Sequence, residues 1–403
     1  MNMGHMTMPE DHRAHAAMTG MYGPYALSRE ASGTSWQPEA TAHQGIHMMK
    51  GPWMILVHGF ADLSADRQGG PRGASKVLSD NMLMTIALRP LGGGMLGLRG
   101  MASAEPTTIG RGGYPLLLQT GETADGVRPL IDRQHPHDLF MELAGSWSVS
   151  RGGHSAFVYA GLPGEPALGP PAFMHRFSGS EIPEAPIAHH WLDSSHITFG
   201  VVTLGAVSGG FKLEGSRFRG REPDERRWNI EDPKLDSHSF RASWNPSAAW
   251  SLQASFGRLH SPEQLEPELD ADRTTLSAML DRSSPGRRWQ TTLAWGRNRN
   301  RPGRTLDALL LESALSPGER HLWAARIERV RKDELFAPGE TLAGEAFTVG
   351  KASLSYRYEH YRAEHVAVGV GGLASVSFVP SALRDRYGAQ PVSGMLFVRA
   401  RLR

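Results

Sequence analysis

Methionine and histidine crowd the first 49 residues, which hold eight of the chain's 17 Met and five of its 18 His. Thioether sulfur is a soft, neutral ligand that suits Cu(I), and imidazole binds both Cu(I) and Cu(II). A polar leader has no packing reason to use so many Met, so we predict that this segment binds copper. The predicted ligands are Met3, His5, Met6, Met8, His12, His15, Met18, Met21, His43 and His47. The alternative is a flexible, low-complexity leader in which these residues are incidental.

A second set of metal-ligand residue types lies at 132–138 and 174–196, in connections that precede predicted strands. If these connections converge at one mouth of a barrel, their imidazoles and carboxylates could coordinate a divalent metal ion. The predicted ligands are His135, His137, Asp138, His175, His189, His190, Asp193 and His196. Two alternatives stay open. These groups hydrogen-bond the loop backbone inside the lumen, or Ser194 or Ser195 acts as a nucleophile with a neighbouring His as base.

The elements that must position these groups are stretches of roughly ten residues in which apolar and polar residues alternate. Leu252 lies on the apolar face of one stretch and Ser251 on its polar face, and Leu276 and Ser277 divide in the same way on the next. Such period-two stretches, separated by turn residues, are typical of transmembrane β-strands.

The connections between these stretches alternate in length. The predicted short turns lie at 90–94, 151–153, 207–210, 245–248, 283–287 and 316–319, and the predicted long loops lie at 104–137, 163–194 and 219–236. Short periplasmic turns and long external loops are typical of outer-membrane barrels. We therefore predict an all-β fold, a transmembrane antiparallel β-barrel of about 16 strands, within a range of roughly 14–18. Its first strand begins near Trp53 and its last strand spans 392–402.

The polar face of the predicted strands is unusually rich in charge, which suits a wet lumen. Its charged residues are Glu142, Lys212, Glu214, Arg241, Asp281, Arg326, Glu328, Arg357 and Arg399. A soluble β-sandwich or propeller would explain the alternation but not this charged face. Residues 1–50 lack strand periodicity, so we expect a periplasmic leader or a plug there, and a barrel over 51–403.

Composition excludes several classes of protein. No window approaches the roughly 20 apolar residues of a membrane-spanning helix. The 43 basic residues are scattered and nearly balanced by 41 acidic ones, so we expect no nucleic-acid partner. The absence of Cys suits an oxidising compartment. No export signal is recognisable in this sequence, so location in the outer membrane of a Gram-negative bacterium is inferred from the barrel.

Several long strings resemble a family of poorly characterised Gram-negative outer-membrane proteins that is associated with copper-handling gene neighbourhoods. They are Ser32–Pro38, Asp132–Leu139, Gly161–Arg176, His189–Gly200, Gly220–Asp224 and Arg227–Asn229. The leader is also similar to the His/Met-rich leader of outer-membrane copper-resistance proteins, although the barrel stretches do not follow that family's pattern. The resemblance implies an outer-membrane barrel and a role in copper handling.

We therefore predict a non-enzymatic barrel that binds or passes metal ions, copper foremost, in metal resistance or homeostasis. Its expected partners are outer-membrane lipid and periplasmic metal-handling proteins. The alternative is a general solute channel or a structural barrel without metal chemistry, and the third hypothesis is a barrel-embedded lipid hydrolase. The oligomeric state is not predicted.

Overall fold

Twenty strands are present in the computed structural model, which describes residues 18–42 and 44–403. In chain order they are β1 (Ile46–Lys50), β2 (Trp53–Arg67), β3 (Ser75–Leu78), β4 (Asn81–Leu91), β5 (Gly94–Ala102), β6 (Tyr114–Thr123), β7 (Pro129–Gln134), β8 (Phe140–Arg151), β9 (His154–Gly161), β10 (Val201–Ser208), β11 (Phe211–Phe218), β12 (Ser237–Ser247), β13 (Trp250–Leu259), β14 (Asp270–Asp281), β15 (Arg288–Arg301), β16 (Thr305–Ser316), β17 (His321–Lys332), β18 (Phe347–Arg362), β19 (Val366–Phe378) and β20 (Val392–Leu402). Sixteen of them form one antiparallel barrel. The short strands β1 and β3 extend the edges of β2, and β6 and β7 form a separate hairpin.

The barrel closes where β2 pairs with β20, from Phe60 opposite Arg401 to Arg67 opposite Gly394. At every other seam, a barrel strand pairs with the barrel strand that follows it in the chain. Strands that lie within loops are passed over in this order. Closure leaves no unpaired strand edge, which is the condition for a sheet to cross a bilayer. The predicted fold, its strand number, its start near Trp53 and its last strand are confirmed.

The two faces of the barrel wall differ sharply in chemistry. Leu276 exposes 49% of its surface outward, whereas Ser277 on the same strand is 9% exposed and faces the lumen. All nine charged residues predicted to face the lumen are buried there. A membrane barrel has an apolar outer face and a polar, charged inner face. The predicted assignment of residues to the two faces is therefore confirmed. No helix among the described residues is long and apolar enough to span a membrane.

One end of the barrel carries short turns. Residues 92–93, 152–153, 209–210 and 248–249 each join two strands there, and all six predicted short turns lie at this end. Gly92 and Gly93 both have positive φ, +59° and +78°, as a two-residue hairpin turn of this kind requires. The opposite end carries the long loops, with the exception of 302–304, a three-residue turn between β15 and β16 that the sequence did not indicate.

Three segments fold into the lumen. Residues 18–42 run inside the barrel, where Arg99 donates to the carbonyl of Ala31 (2.8 Å) and Asn245 donates to the carbonyl of Gln37 (2.8 Å). The loop at 103–139 contributes the buried hairpin β6–β7 and the one-turn helix α1 (Glu105–Thr108). The loop at 162–200 is almost entirely buried and contains the short helices α2 (Phe177–Ser180) and α3 (His189–Leu192). Together these segments occupy the lumen.

Candidate metal site in the lumen

Five histidines converge where the two longest loops meet inside the barrel. His135 and His137 follow β7, His189 and His190 open α3, and His196 ends the 3-10 turn Ser194–His196. The centres of neighbouring rings are 5.2–6.4 Å apart, with the shortest separations at 5.2 Å for His189 to His196 and 5.3 Å for His137 to His196. The expectation that these loop residues meet is therefore met for five of the six loop histidines. We call this group the His cluster.

Acceptor groups lie beside the Nδ1 atoms of four of these rings. His135 Nδ1 lies 3.1 Å from the backbone carbonyl of Pro136. His137 Nδ1 lies 2.9 Å from a carboxylate oxygen of Glu105, which also accepts the backbone N–H of His137. His189 Nδ1 lies 2.8 Å from the carboxylate of Asp193. His196 Nδ1 lies 2.8 Å from the backbone carbonyl of Asp193. A ring whose Nδ1 donates to such an acceptor presents Nε2 as a lone pair, which is the usual arrangement of a metal-binding histidine.

The Nε2 atoms of His137 and His196 are buried, and neither has a hydrogen-bond partner among the described residues. Two further carboxylates lie beside the cluster. Glu122 is 3.2 Å from His135 Nε2, and Glu222 is 3.5 Å from His190 Nε2. The cluster thus combines imidazole and carboxylate, the donor types that bind borderline divalent metal ions.

Burial favours the neutral form of three of these rings. It lowers the pKa of His135 well below its ordinary value, with the neighbouring histidines adding to the effect, and it lowers the pKa of His196 to about 3. The pKa of His189 is lowered too, chiefly by burial, although its bond to Asp193 opposes the shift. Asp193 stays ionised because Arg176, 2.7 Å away, holds its pKa low against the effect of burial. Neutral imidazole is the form that binds metal.

As the side chains stand, no three His, Asp or Glu residues in the described part of the chain group their donors closely enough to hold a metal ion. The ring spacing is nevertheless near that of a bound pair, since two imidazoles on one tetrahedral ion have ring centres about 5 Å apart. His196 is the shared neighbour in this group, since its ring centre lies 5.3 Å from that of His137 and 5.2 Å from that of His189.

The remaining predicted ligands lie elsewhere. Asp138 pairs with Arg227 (3.2 Å) at the edge of the cluster. His175 lies in a different cavity, with its ring centre 5.8 Å from that of His58. Met18 and Met21 pack in the apolar contacts of the segment at 18–42, and His47 lies on β1. Met3, His5, Met6, Met8, His12, His15 and His43 are outside the described residues.

Sequence reasoning missed the carboxylates Glu105, Glu122 and Glu222. Glu105 precedes a proline in a short helix, and nothing in its neighbourhood indicates that it meets a histidine 32 residues further along. Glu222 lies in a string that carried the family resemblance, which was the one available signal. Neither serine of the hydrolase hypothesis bonds to a histidine ring among the described residues. Ser194 Oγ accepts a hydrogen bond from Arg273 (2.9 Å), Ser195 Oγ is buried without a hydrogen-bond partner in the described part of the chain, and His196 Nδ1 contacts the backbone of Asp193.

No protein-family model matches the chain, and no curated protein matches its sequence. Its fold does match solved structures. Salmonella typhi OmpF, in a complex with daunomycin, has a TM-score of 0.53 and 9% identity, over 88% of this chain and 100% of that one. The outer membrane channel DcaP of Acinetobacter baumannii has a TM-score of 0.50 and 9% identity, over 89% and 100%.

The fold is that of a porin-like outer-membrane barrel. Its closed sheet and apolar outer belt place it in the outer membrane of a Gram-negative bacterium, as predicted. A likeness at 9% identity concerns the fold, so the expected link to copper handling and the expected lack of enzymatic activity stay predictions.

Proposed function

We propose that this porin-like barrel binds a transition-metal ion, copper foremost, in its closed lumen, and that the ion is cargo in metal resistance or homeostasis. The observation that carries the proposal is the convergence of five buried imidazoles from two separate loops, with spacings of 5.2–6.4 Å between neighbouring rings. His137, His189 and His196 are the proposed ligands, and His135 and His190 with their carboxylates are the proposed neighbouring donors.

Three features support this proposal over a purely structural role. The Nδ1 atoms of the proposed ligands contact acceptors, which leaves Nε2 as the ring nitrogen with a free lone pair. Burial lowers the pKa of His189 and of His196, so these two rings are neutral and able to bind metal at neutral pH. Two Nε2 atoms are buried without a hydrogen-bond partner among the described residues, a cost that a bound cation would remove. Among divalent ions, Cu(II) is expected to bind such nitrogen ligands most tightly.

The test is a titration of the full chain, folded in detergent and stripped of metal, with Cu(II), Zn(II) and Ni(II). His137→Asn and His196→Asn should each weaken Cu(II) binding by about tenfold to a hundredfold or more. The matched controls are His260→Asn and His365→Asn, which change exposed loop histidines. Equal binding by the cluster variants and the controls would contradict the proposal. Because the leader is present in every variant, its own metal binding cancels in the comparison.

The second candidate function is a solute channel without metal chemistry, which the porin-like fold favours. A channel needs a continuous water path, and the segments at 18–42, 103–139 and 162–200 occupy the lumen. We therefore expect low single-channel conductance in planar bilayers for the intact chain. A large conductance together with no cluster-dependent metal binding would favour this second candidate.

A further inference from the structure

A second group of metal-ligand side chains lines a cavity at the short-turn end of the barrel. The cavity has a volume of about 140 Å³ and is lined by His58, Met82, Met84, Met174 and His175, among others. Arg288 at the start of β15 and Arg401 near the end of β20 also line it, which places it toward the periplasmic end. We call it the Met/His cavity.

The methionines occupy unusual positions for such a barrel. Met82 and Met84 face the lumen on β4, whereas lumen-facing positions on other strands carry charged residues such as Arg326 and Lys351. Met174 reaches the same cavity from the loop at 162–200, and all three are buried. These side chains also pack against the segment at 18–42, a role that Leu would fill equally well. What Met adds is a soft sulfur at the wall of an open space.

Two histidines complete the set of donors. His58 projects from the lumen face of β2 and His175 from the 3-10 turn beside Met174, and their ring centres are 5.8 Å apart. Three thioethers and two imidazoles form a neutral set of donors that favours a soft, singly charged cation. Three of the four arginines at the wall pair with carboxylates: Arg399 with Asp62 (2.6 Å), Arg401 with Glu359 (2.6 Å) and Arg99 with Glu142 (3.3 Å). The fourth, Arg288, forms no ion pair among the described residues and lies over the ring of Phe177.

The Met/His cavity adjoins the His cluster along the barrel. A smaller cavity of about 40 Å³ shares Phe60, Met174 and Arg399 as wall residues with the Met/His cavity, and its far side is lined by His135 and His137. From the periplasmic end toward the long loops, the order is therefore the Met/His cavity, the smaller cavity and the His cluster.

We propose that the Met/His cavity is a second metal site, specific for Cu(I). Through it Cu(I) passes, with no change of oxidation state, between the periplasmic end and the His cluster, whose imidazoles bind Cu(I) as well as Cu(II). The transit role rests on the proposed function, but the Cu(I) site stands on its own residues. Zn(II) and Ni(II) use thioether sulfur poorly, so they should bind at the His cluster and not in the Met/His cavity.

The experiment compares two sets of volume-conserving changes in the full chain. Met82→Leu, Met84→Leu and Met174→Leu together remove the sulfur of the cavity. Met101→Leu and Met141→Leu together form the matched control, since both residues are buried in the same apolar cluster but are not among the described residues that line the cavity. Each protein is titrated anaerobically with Cu(I) against a competing chelator, and separately with Zn(II).

We expect the triple variant to lose about one Cu(I) per barrel, or to hold it about tenfold more weakly, while its Zn(II) binding matches that of the unchanged protein. The control should retain both. Unchanged Cu(I) binding in the triple variant, or an equal loss in the control, would overturn the inference. If the triple variant does not fold, the single change Met174→Leu decides by X-ray absorption, where the sulfur signal of bound Cu(I) should fall relative to Met141→Leu.

The Cu(I) site in the Met/His cavity and the proposed function of the His cluster can be contradicted independently of each other. His137→Asn with His196→Asn should abolish Cu(II) binding at the His cluster and leave the Cu(I) bound in the Met/His cavity. Loss of Cu(I) only in the methionine variant would support the cavity even if the His cluster binds no metal.

Discussion

The outer face of the barrel exposes Leu276, Leu354 and Ile327 to lipid, whereas the lumen face of the neighbouring strands buries Arg326 and Lys351 almost completely. The outer residues need no specific partner because lipid tails accept any apolar side chain. The inner charges each need one. Some find it on the wall itself, as Arg399 does with Asp62 (2.6 Å). Others find it in the loops: Arg326 donates to the carbonyl of Glu184 (2.9 Å) and Lys351 pairs with the Glu184 carboxylate (2.8 Å). The wall therefore depends on the bilayer, and the closed lumen depends on paired charges.

We expect the largest loss of stability when one partner of a fully buried ion pair is removed. Arg176 is fully buried and joins the loop at 162–200 to the wall through Glu312 (2.7 Å), and it holds Asp193 (2.7 Å), which orients His189. Arg176→Met leaves the buried Asp193 without its cationic partner and leaves Glu312 paired with Arg326 alone (3.3 Å), so we expect a loss of about 3–5 kcal/mol of folding free energy. Urea unfolding in detergent measures it. Arg258→Met, at a half-exposed pair on β13, should cost less than about 1 kcal/mol.

The same variant addresses closure of the lumen. If the loop is held by Arg176, Arg176→Met should also raise single-channel conductance in planar bilayers. Low conductance combined with unchanged stability would show that the lumen does not depend on this pairing.

The next largest loss of stability is expected from substitutions on the outer face of the barrel. Leu276→Arg places a charge against lipid and should destabilise the barrel by about 2–4 kcal/mol, while Ser277→Arg faces the polar lumen and should be milder. Leu252→Arg and Ser251→Arg form a second pair on β13. Folding yield in liposomes measures the difference. Equal damage from the two faces would contradict the assignment of lipid and lumen sides.

A smaller effect depends on pH. Burial raises the pKa of Glu165, in the loop at 162–200, from 4.5 to about 8, although Arg241 opposes the shift. Between these values the folded protein keeps a proton that the unfolded chain has lost, so this group's contribution to stability falls as the pH rises from 4.5 to 8. The slope is at most about 1.4 kcal/mol per pH unit.

Glu165→Gln should remove that slope, because the amide stays neutral throughout. Its stability relative to the unchanged protein should therefore improve from pH 5 to pH 8 in urea unfolding, whereas Glu319→Gln, at an exposed turn residue, should show no such trend. A constant difference between Glu165→Gln and the unchanged protein would mean that Glu165 is ionised in the folded state.

The strands and faces of the barrel wall could be predicted from the sequence, whereas the contacts inside the lumen could be predicted only in part. The reason is physical. Residues such as Leu276 and Ser277 obey a period of two that the bilayer and the lumen impose on every strand, so alternation alone assigns strands and faces. The convergence of His137 with His196 depends on how two long loops fold against each other, and no local periodicity records that. Their types and positions indicated candidate ligands, but His175 carried the same signal and lies in another cavity.

The carboxylates that contact the His cluster were harder still to predict from the sequence. Glu105 contacts a residue 32 positions away and Glu222 meets His190 from a third loop, so each contact depends on the tertiary arrangement. The methionines of the Met/His cavity read in the sequence as ordinary apolar positions of a strand. Only the fold shows that Met82 and Met84 border an open space together with two histidines.

The most direct test of the central claim is anomalous X-ray diffraction at the copper edge from crystals of the full chain loaded with Cu(II). We predict a peak between His137, His189 and His196, and its loss in crystals of His196→Asn. Copper peaks confined to other parts of the chain, with none within bonding distance of these three rings, would contradict it.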